Sequence, residues 1–158
     1  MADQQDIDAV RALLGRVPQA DFEVVVRDDD GTPVVIRNAP LLDDGTPMPT
    51  RYWLVGERDR VMIGRLESSG VIDVAEAEIG DEALDVAHAA YEAERDAALP
   101  ADHDGPRPTG GVGGTRRGIK CFHAHWAWYL AGGSDPVGPW IEARLAAEAE
   151  TGSMPGTA

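Results

Sequence analysis

FEVVVRDDDGTPVVIR, residues 22–37, is the stretch whose reading decides the fold. Two β-branched runs, Phe22 to Arg27 and Pro33 to Arg37, flank Asp28-Asp29-Asp30-Gly31, and Asp-Gly between two such runs favours the tight turn of a hairpin. Three consecutive acids also suit calcium, but the spacing and distal Glu of an EF-hand loop are missing, so the run reads as a solvated turn. Downstream, residues 39–49 hold three prolines and a second Asp-Gly, the mark of an extended connection. It delivers the chain to Thr50-Arg51-Tyr52-Trp53-Leu54-Val55, which reads as a third strand, 50–55, paired with the hairpin.

Around this sheet the apolar period changes to that of helices. Ile7, Val10, Leu13 and Leu14 predict a short helix over 6–14 ending at Gly15. Val61, Met62, Ile63 and Leu66 predict one from Arg58 that closes at Gly70, followed by a short helical piece over 71–79. Leu84, Ala87, Ala90, Tyr91 and Ala98 supply the stripe of a long helix over 81–99, stopped by Pro100. Ile119 to Ala131 reads as helix, and Ser134 or Asp135 can cap a last helix with Pro136 at its first turn. The expected fold is therefore α+β, a small antiparallel sheet packed with about four to five helices. It forms a single domain over 1–150, with a disordered tail over 151–158.

Composition narrows the function classes. A formal charge of −14 repels nucleic acid and anionic membrane, so neither is expected as a partner. One cysteine excludes an internal disulfide, MADQQDIDAV lacks the features of a secretory signal, and no apolar run approaches the roughly 18 residues of a membrane span. The expected location is the cytoplasm. Within this acidic chain the cations Arg107, Arg116, Arg117 and Lys120 cluster about a glycine-rich loop, GGVGGTRRGIK over 110–120.

That loop is the first candidate for chemistry. Glycines before a helix allow backbone N–H groups to converge on an anion, with Gly113 and Gly114 giving access and Arg116, Arg117 and Lys120 adding charge. It is not a phosphate-binding P-loop, because Ile119 stands where that motif needs lysine. The alternative is a mobile hinge with solvated arginines. Cys121-Phe122-His123-Ala124-His125 follows. An extended segment would point all three polar side chains one way, whereas in the predicted helix Cys121 and His125 share a face and His123 lies about 200° from Cys121. No metal or other cofactor is assigned on this basis. Cys121 also reads as a nucleophile with a histidine as base, or as a small buried thiol. Finally, His88, Tyr91 and Arg95 fall at i, i+3 and i+7 of the long helix and form one ridge. The ridge is either a polar wall facing the glycine loop or an interhelical hydrogen-bond network, with Glu67 as a partner for Arg95.

Several stretches together carry a family resemblance. They are DGTPMPTRYWL over 44–54, RLESSG over 65–70, the His88, Tyr91, Arg95 helix, KCFH over 120–123 and DPVG over 135–138. From about Asp8 to Leu145 the chain resembles the bacterial domain-of-unknown-function family 501. The resemblance implies a small cytoplasmic protein whose gene lies near a septum-formation initiator and an exopolyphosphatase-type phosphatase. Carried over by position, it points to Thr50, Tyr52, Glu67, His88, Tyr91, Arg95, Lys120, Cys121 and His123. The chain departs from the family pattern at Arg27-Asp28-Asp29, where members have Arg-Cys-Pro, and at Met48, where they have Phe. The first departure removes a metal ligand that the hairpin would otherwise offer.

Two functions are expected. One is a pocket for a phosphorylated or otherwise anionic small molecule, enzymatic or purely binding: Lys120 and Arg95 hold the anion, His88 or His123 transfers protons, and the loop closes over the ligand. The other is a non-catalytic interaction protein, an adaptor linked to cell division. The four tryptophans, with Trp126 and Trp128 close together in one helix, cannot easily all face one core, and an exposed one would mark a partner surface.

Overall fold

The structure, a computed structural model, describes residues 1–151. The expected disordered tail, apart from Thr151, lies outside the described residues. The hairpin is present: β1 (Phe22–Arg27) pairs antiparallel with β2 (Pro33–Asn38), and β3 (Tyr52–Leu54) adds to the far edge of β2 in the order β1-β2-β3. Asp28 folds the turn by accepting the N–H groups of Asp30 and Thr32 on its Oδ1, so the triple acid serves as turn chemistry. The third strand is shorter than expected. Its pairing nevertheless continues beyond both ends, with Asn38 N–H donating to the Arg51 carbonyl and Val55 N–H to that of Val34.

β2 is buried on both faces, so both faces must be covered. Ile36 packs with Phe22, Val55 and Val10 beneath α1 (Gln4–Leu14). Val35, Tyr52 and Leu54 point into the larger core on the other side. That core is built round α5 (Phe122–Leu130) and closed by α2 (Glu57–Ser68), α3 (Ile72–Ile79), α4 (Asp81–Ala97) and α6 (Val137–Thr151). The fold is α+β as expected, with six α-helices among the described residues against the four to five expected. Gly80, at φ +88°, separates α3 from α4 and makes them two elements.

Of the four tryptophans, Trp126 and Trp128 are buried in the larger core, with Trp140 packed against it, and Trp53 packs against the smaller one. Sheet on one side and helices on the others enclose α5, so Phe122, Ala124, His125, Trp126, Ala127 and Trp128 are all buried. A helix apolar all round can place residues two apart in one core. Trp126 directs its indole N–H to Asp59 Oδ2 at 2.9 Å, while Trp53 and Trp140, half-buried, carry Arg16 and Arg144 over their rings.

Candidate functional site

α4 carries the predicted ridge, and the ridge faces the glycine loop. Arg95 is 0% exposed. Its Nη1 donates to the Pro49 and Gly110 carbonyls, its Nη2 to that of Pro108, and its Nε to Asp96 Oδ1 at 3.0 Å. The guanidinium therefore ties the approach to β3 to the entrance of the loop. Its acidic neighbours are Asp96 and, at 3.9 Å, Glu92, so the expected pairing with Glu67 is corrected.

His88 accepts the Val112 N–H on Nδ1 at 3.1 Å, which leaves Nε2 to donate to the Gly118 carbonyl at 2.8 Å. Both ring nitrogens are thus engaged in one neutral tautomer. The Tyr91 hydroxyl accepts the N–H groups of Arg51 and Tyr52, and burial pushes the phenol above its ordinary pKa. Tyr52 is buried with its ring edge-on to Tyr91, whereas Thr50, half-buried, offers its carbonyl to Asn38 Nδ2.

The loop that these residues hold is folded tightly against α4. Gly111 N–H donates to Thr115 O, and Val112–Gly114 forms a 3₁₀ turn. Ile119 N–H donates to Glu76 Oε1 at 3.0 Å. A Cβ on Gly111 would stand 2.5 Å from His88 Cβ, so only glycine allows this approach. The N–H groups of Gly111, Val112, Gly114 and Ile119 are thereby satisfied within the protein. The cations point the other way: among the described residues Arg107, Arg116, Arg117 and Lys120 are exposed, with no side-chain hydrogen bond or ion pair.

The structure brings together a second group at the start of α5. The helix begins at Phe122, three residues later than expected, and Cys121 is its extended N-cap (φ −154°, ψ 152°) with no side-chain capping bond of its own. The cap is supplied from α2: Glu67 Oε2 accepts the Phe122 N–H at 2.6 Å, placing a carboxylate at the positive end of the helix. The other oxygen, Oε1, lies 2.8 Å from His123 Nδ1. Cys121 therefore belongs with His123 and Glu67, not with His125 as helical geometry from Ile119 implied. The Cys121 thiol is half-buried, and its pKa is pushed up by burial and then by the charge of Glu67, against the pull of the Ala124 N–H and of Lys120.

His125 is directed into the core. It is 1% exposed, and its Nδ1 lies 2.8 Å from Asp135 Oδ2. Asp135 Oδ1 also accepts the Val137 N–H, so one carboxylate ties α5 to the first turn of α6. The roles of Glu76 and of Asp135 as the partner of His125 escaped sequence reading; unpaired N–H groups at loop exits and helix starts were the only available signal.

A family model described as "Protein of unknown function (DUF501)" matches residues 24–143. The chain belongs to this family. No curated protein and no solved structure matches it.

Proposed function

We infer that the protein binds a small anionic ligand on the outer surface of the glycine loop, with Arg116, Arg117 and Lys120 as its contacts. One observation carries this reading: a loop held from beneath by His88, Arg95 and Glu76 presents cations that form no ion pair with an acid among the described residues. A pre-ordered loop loses little entropy on binding, and exposed guanidinium groups match phosphate or carboxylate oxygens in pairs. Arg95 and His88 act in this reading as supports of the loop, since their polar atoms are already engaged. A cytoplasmic location belongs to the same proposal, because reducing conditions keep a free thiol such as Cys121 reduced.

Calorimetric titration with phosphate, polyphosphate and nucleotides tests it. At least one of these anions should bind in a salt-dependent manner, and combined Arg116→Ala, Arg117→Ala and Lys120→Ala substitutions should weaken it at least about tenfold. Equal affinity in the triple variant, or no binding of any anion by the parent, overturns the reading.

One observation favours a second reading, that of a non-catalytic interaction protein. Val86, 66% exposed, borders a depression of about 740 Å³ with Ile79, Ala83, Tyr129, Pro136 and Pro139. An adaptor linked to cell division is its finer form. Cross-linking in cells should then recover partners that Val86→Asp loses, and an unchanged partner set counts against it.

A further inference from the structure

We propose that Glu67, Cys121 and His123 bind one divalent transition-metal ion of the zinc type, leaving a coordination position open to solvent. One ligand atom from each residue lies within 4.8 Å of the other two. Carboxylate oxygen, cysteine sulfur and imidazole nitrogen are the three donor types that hold zinc, while magnesium and calcium prefer oxygen alone. Two ligands round a tetrahedral zinc stand about 3.3–3.8 Å apart, given bonds of about 2.0–2.3 Å. Small rotations of these half-buried side chains reach that spacing, opening the 2.8 Å contact between Glu67 Oε1 and His123 Nδ1 to admit the ion.

The surroundings of the three residues match what holds metal ligands in place. Glu67 sits in the last turn of α2, and the Phe122 N–H fixes one of its oxygens. This leaves Oε1 beside His123 Nδ1. His123 Nε2 lies 3.3 Å from the Arg60 carbonyl oxygen. A carbonyl only accepts, so this contact favours the tautomer protonated at Nε2 and turns the Nδ1 lone pair towards Oε1. Two acceptors 2.8 Å apart require a proton or a cation between them. A metal ion takes the place of that proton, and the Cys121 thiol releases its own proton to solvent as the sulfur coordinates. A ligand histidine that donates its far N–H to a carbonyl, next to a ligand carboxylate held by a second donor, is the usual outer support of a metal site.

The three residues are all half-buried, so the arrangement is reached by solvent. His123, though neither Glu67 nor Cys121, also borders a cavity of about 490 Å³ with Leu13, Glu57, Arg60 and Val61. Three protein ligands and one accessible position are the pattern of zinc sites that bind water or substrate, not of closed structural sites. The inference stands apart from the anion-binding reading, because the residues that carry the two are different.

The test is cobalt titration of untagged, chelator-treated protein, followed by zinc competition. A thiolate-to-cobalt charge-transfer band should saturate at one equivalent and disappear on adding zinc. Cys121→Ser, which preserves size, should lose the band and bind zinc at least about 100-fold more weakly, as should His123→Ala. Circular dichroism melting curves establish that each variant is folded. The Arg116, Arg117, Lys120 triple variant should keep the band, which separates failure of this site from failure of the anion surface. Cobalt uptake without a thiolate band, no uptake at all, or parental zinc affinity in folded Cys121→Ser protein overturns the proposal.

Discussion

Two clusters in this molecule, each containing a histidine, use their polar side chains in opposite ways. On α4, His88, Tyr91 and Arg95 are buried, and their polar atoms meet backbone groups of the glycine loop and β3. At the start of α5, Glu67, Cys121 and His123 are half-buried and lie close to one another, with a direct polar contact between Glu67 and His123. Burial with complete partnering fixes a backbone, and it removes the freedom to bind or to exchange protons. Partial exposure leaves that freedom intact. The difference suggests a division of labour: the ridge builds the loop, and the α5 start and the loop surface remain available for ligands.

The comparison breaks first at Arg95. Arg95→Ala should cost about 3–5 kcal/mol in urea unfolding, since it empties a fully buried site, leaves the buried Gly110 and Pro108 carbonyls unpartnered and removes the bonds to the half-buried Pro49 carbonyl and the partly exposed Asp96. A loss below about 1 kcal/mol would place the ridge in the same class as an exposed surface network. Gly111→Ala comes next. The added methyl meets His88 at a distance that forces the loop off α4, and overpacking of this kind costs about 1–3 kcal/mol. Hydrogen exchange should then show faster exchange at the Val112 and Ile119 amides, with the sheet amides unchanged. Unaltered loop protection would show that His88 does not hold the loop.

The sheet was legible because its signals are local: two β-branched runs about Asp-Gly, then TRYWLV after prolines. The ridge was legible as well, since 3.6-residue periodicity fixes which side chains share a helix face. Its orientation towards the loop was a reasonable extension, but the identity of its partners was not. Arg95 meets carbonyls, which every residue possesses, so no side-chain pattern could reveal them. The α5 start was misread for a different reason. Helical propensity extends through Ile119, but a carboxylate 55 positions away caps the helix at Cys121 and sets where it begins. That contact is tertiary, and it alone decides that Cys121 joins His123 rather than His125.

The smallest expected effect sharpens the other half of the comparison. Burial, followed by the Glu67 charge, disfavours the Cys121 thiolate. Alkylation by iodoacetamide, in a chelating buffer, should therefore be slower at pH 7 than that of a free thiol, with its midpoint displaced to higher pH. The linkage has a definite sign. A thiol pKa raised by folding contributes stability below the unfolded thiol's pKa, and that contribution is lost as pH rises through the folded value. Glu67→Gln keeps an oxygen to accept the Phe122 N–H but removes the charge. It should accelerate alkylation at pH 7 by about two- to tenfold and move the midpoint down, with an urea unfolding curve close to that of the parent. Lys120→Ala should act in the opposite direction, since Lys120 lowers the same pKa. An unchanged alkylation rate in Glu67→Gln would mean that the carboxylate only caps the helix and that the thiol does not feel it. In that event the three side chains would be neighbours without electrostatic coupling, and the contrast with the α4 ridge would reduce to one of exposure alone.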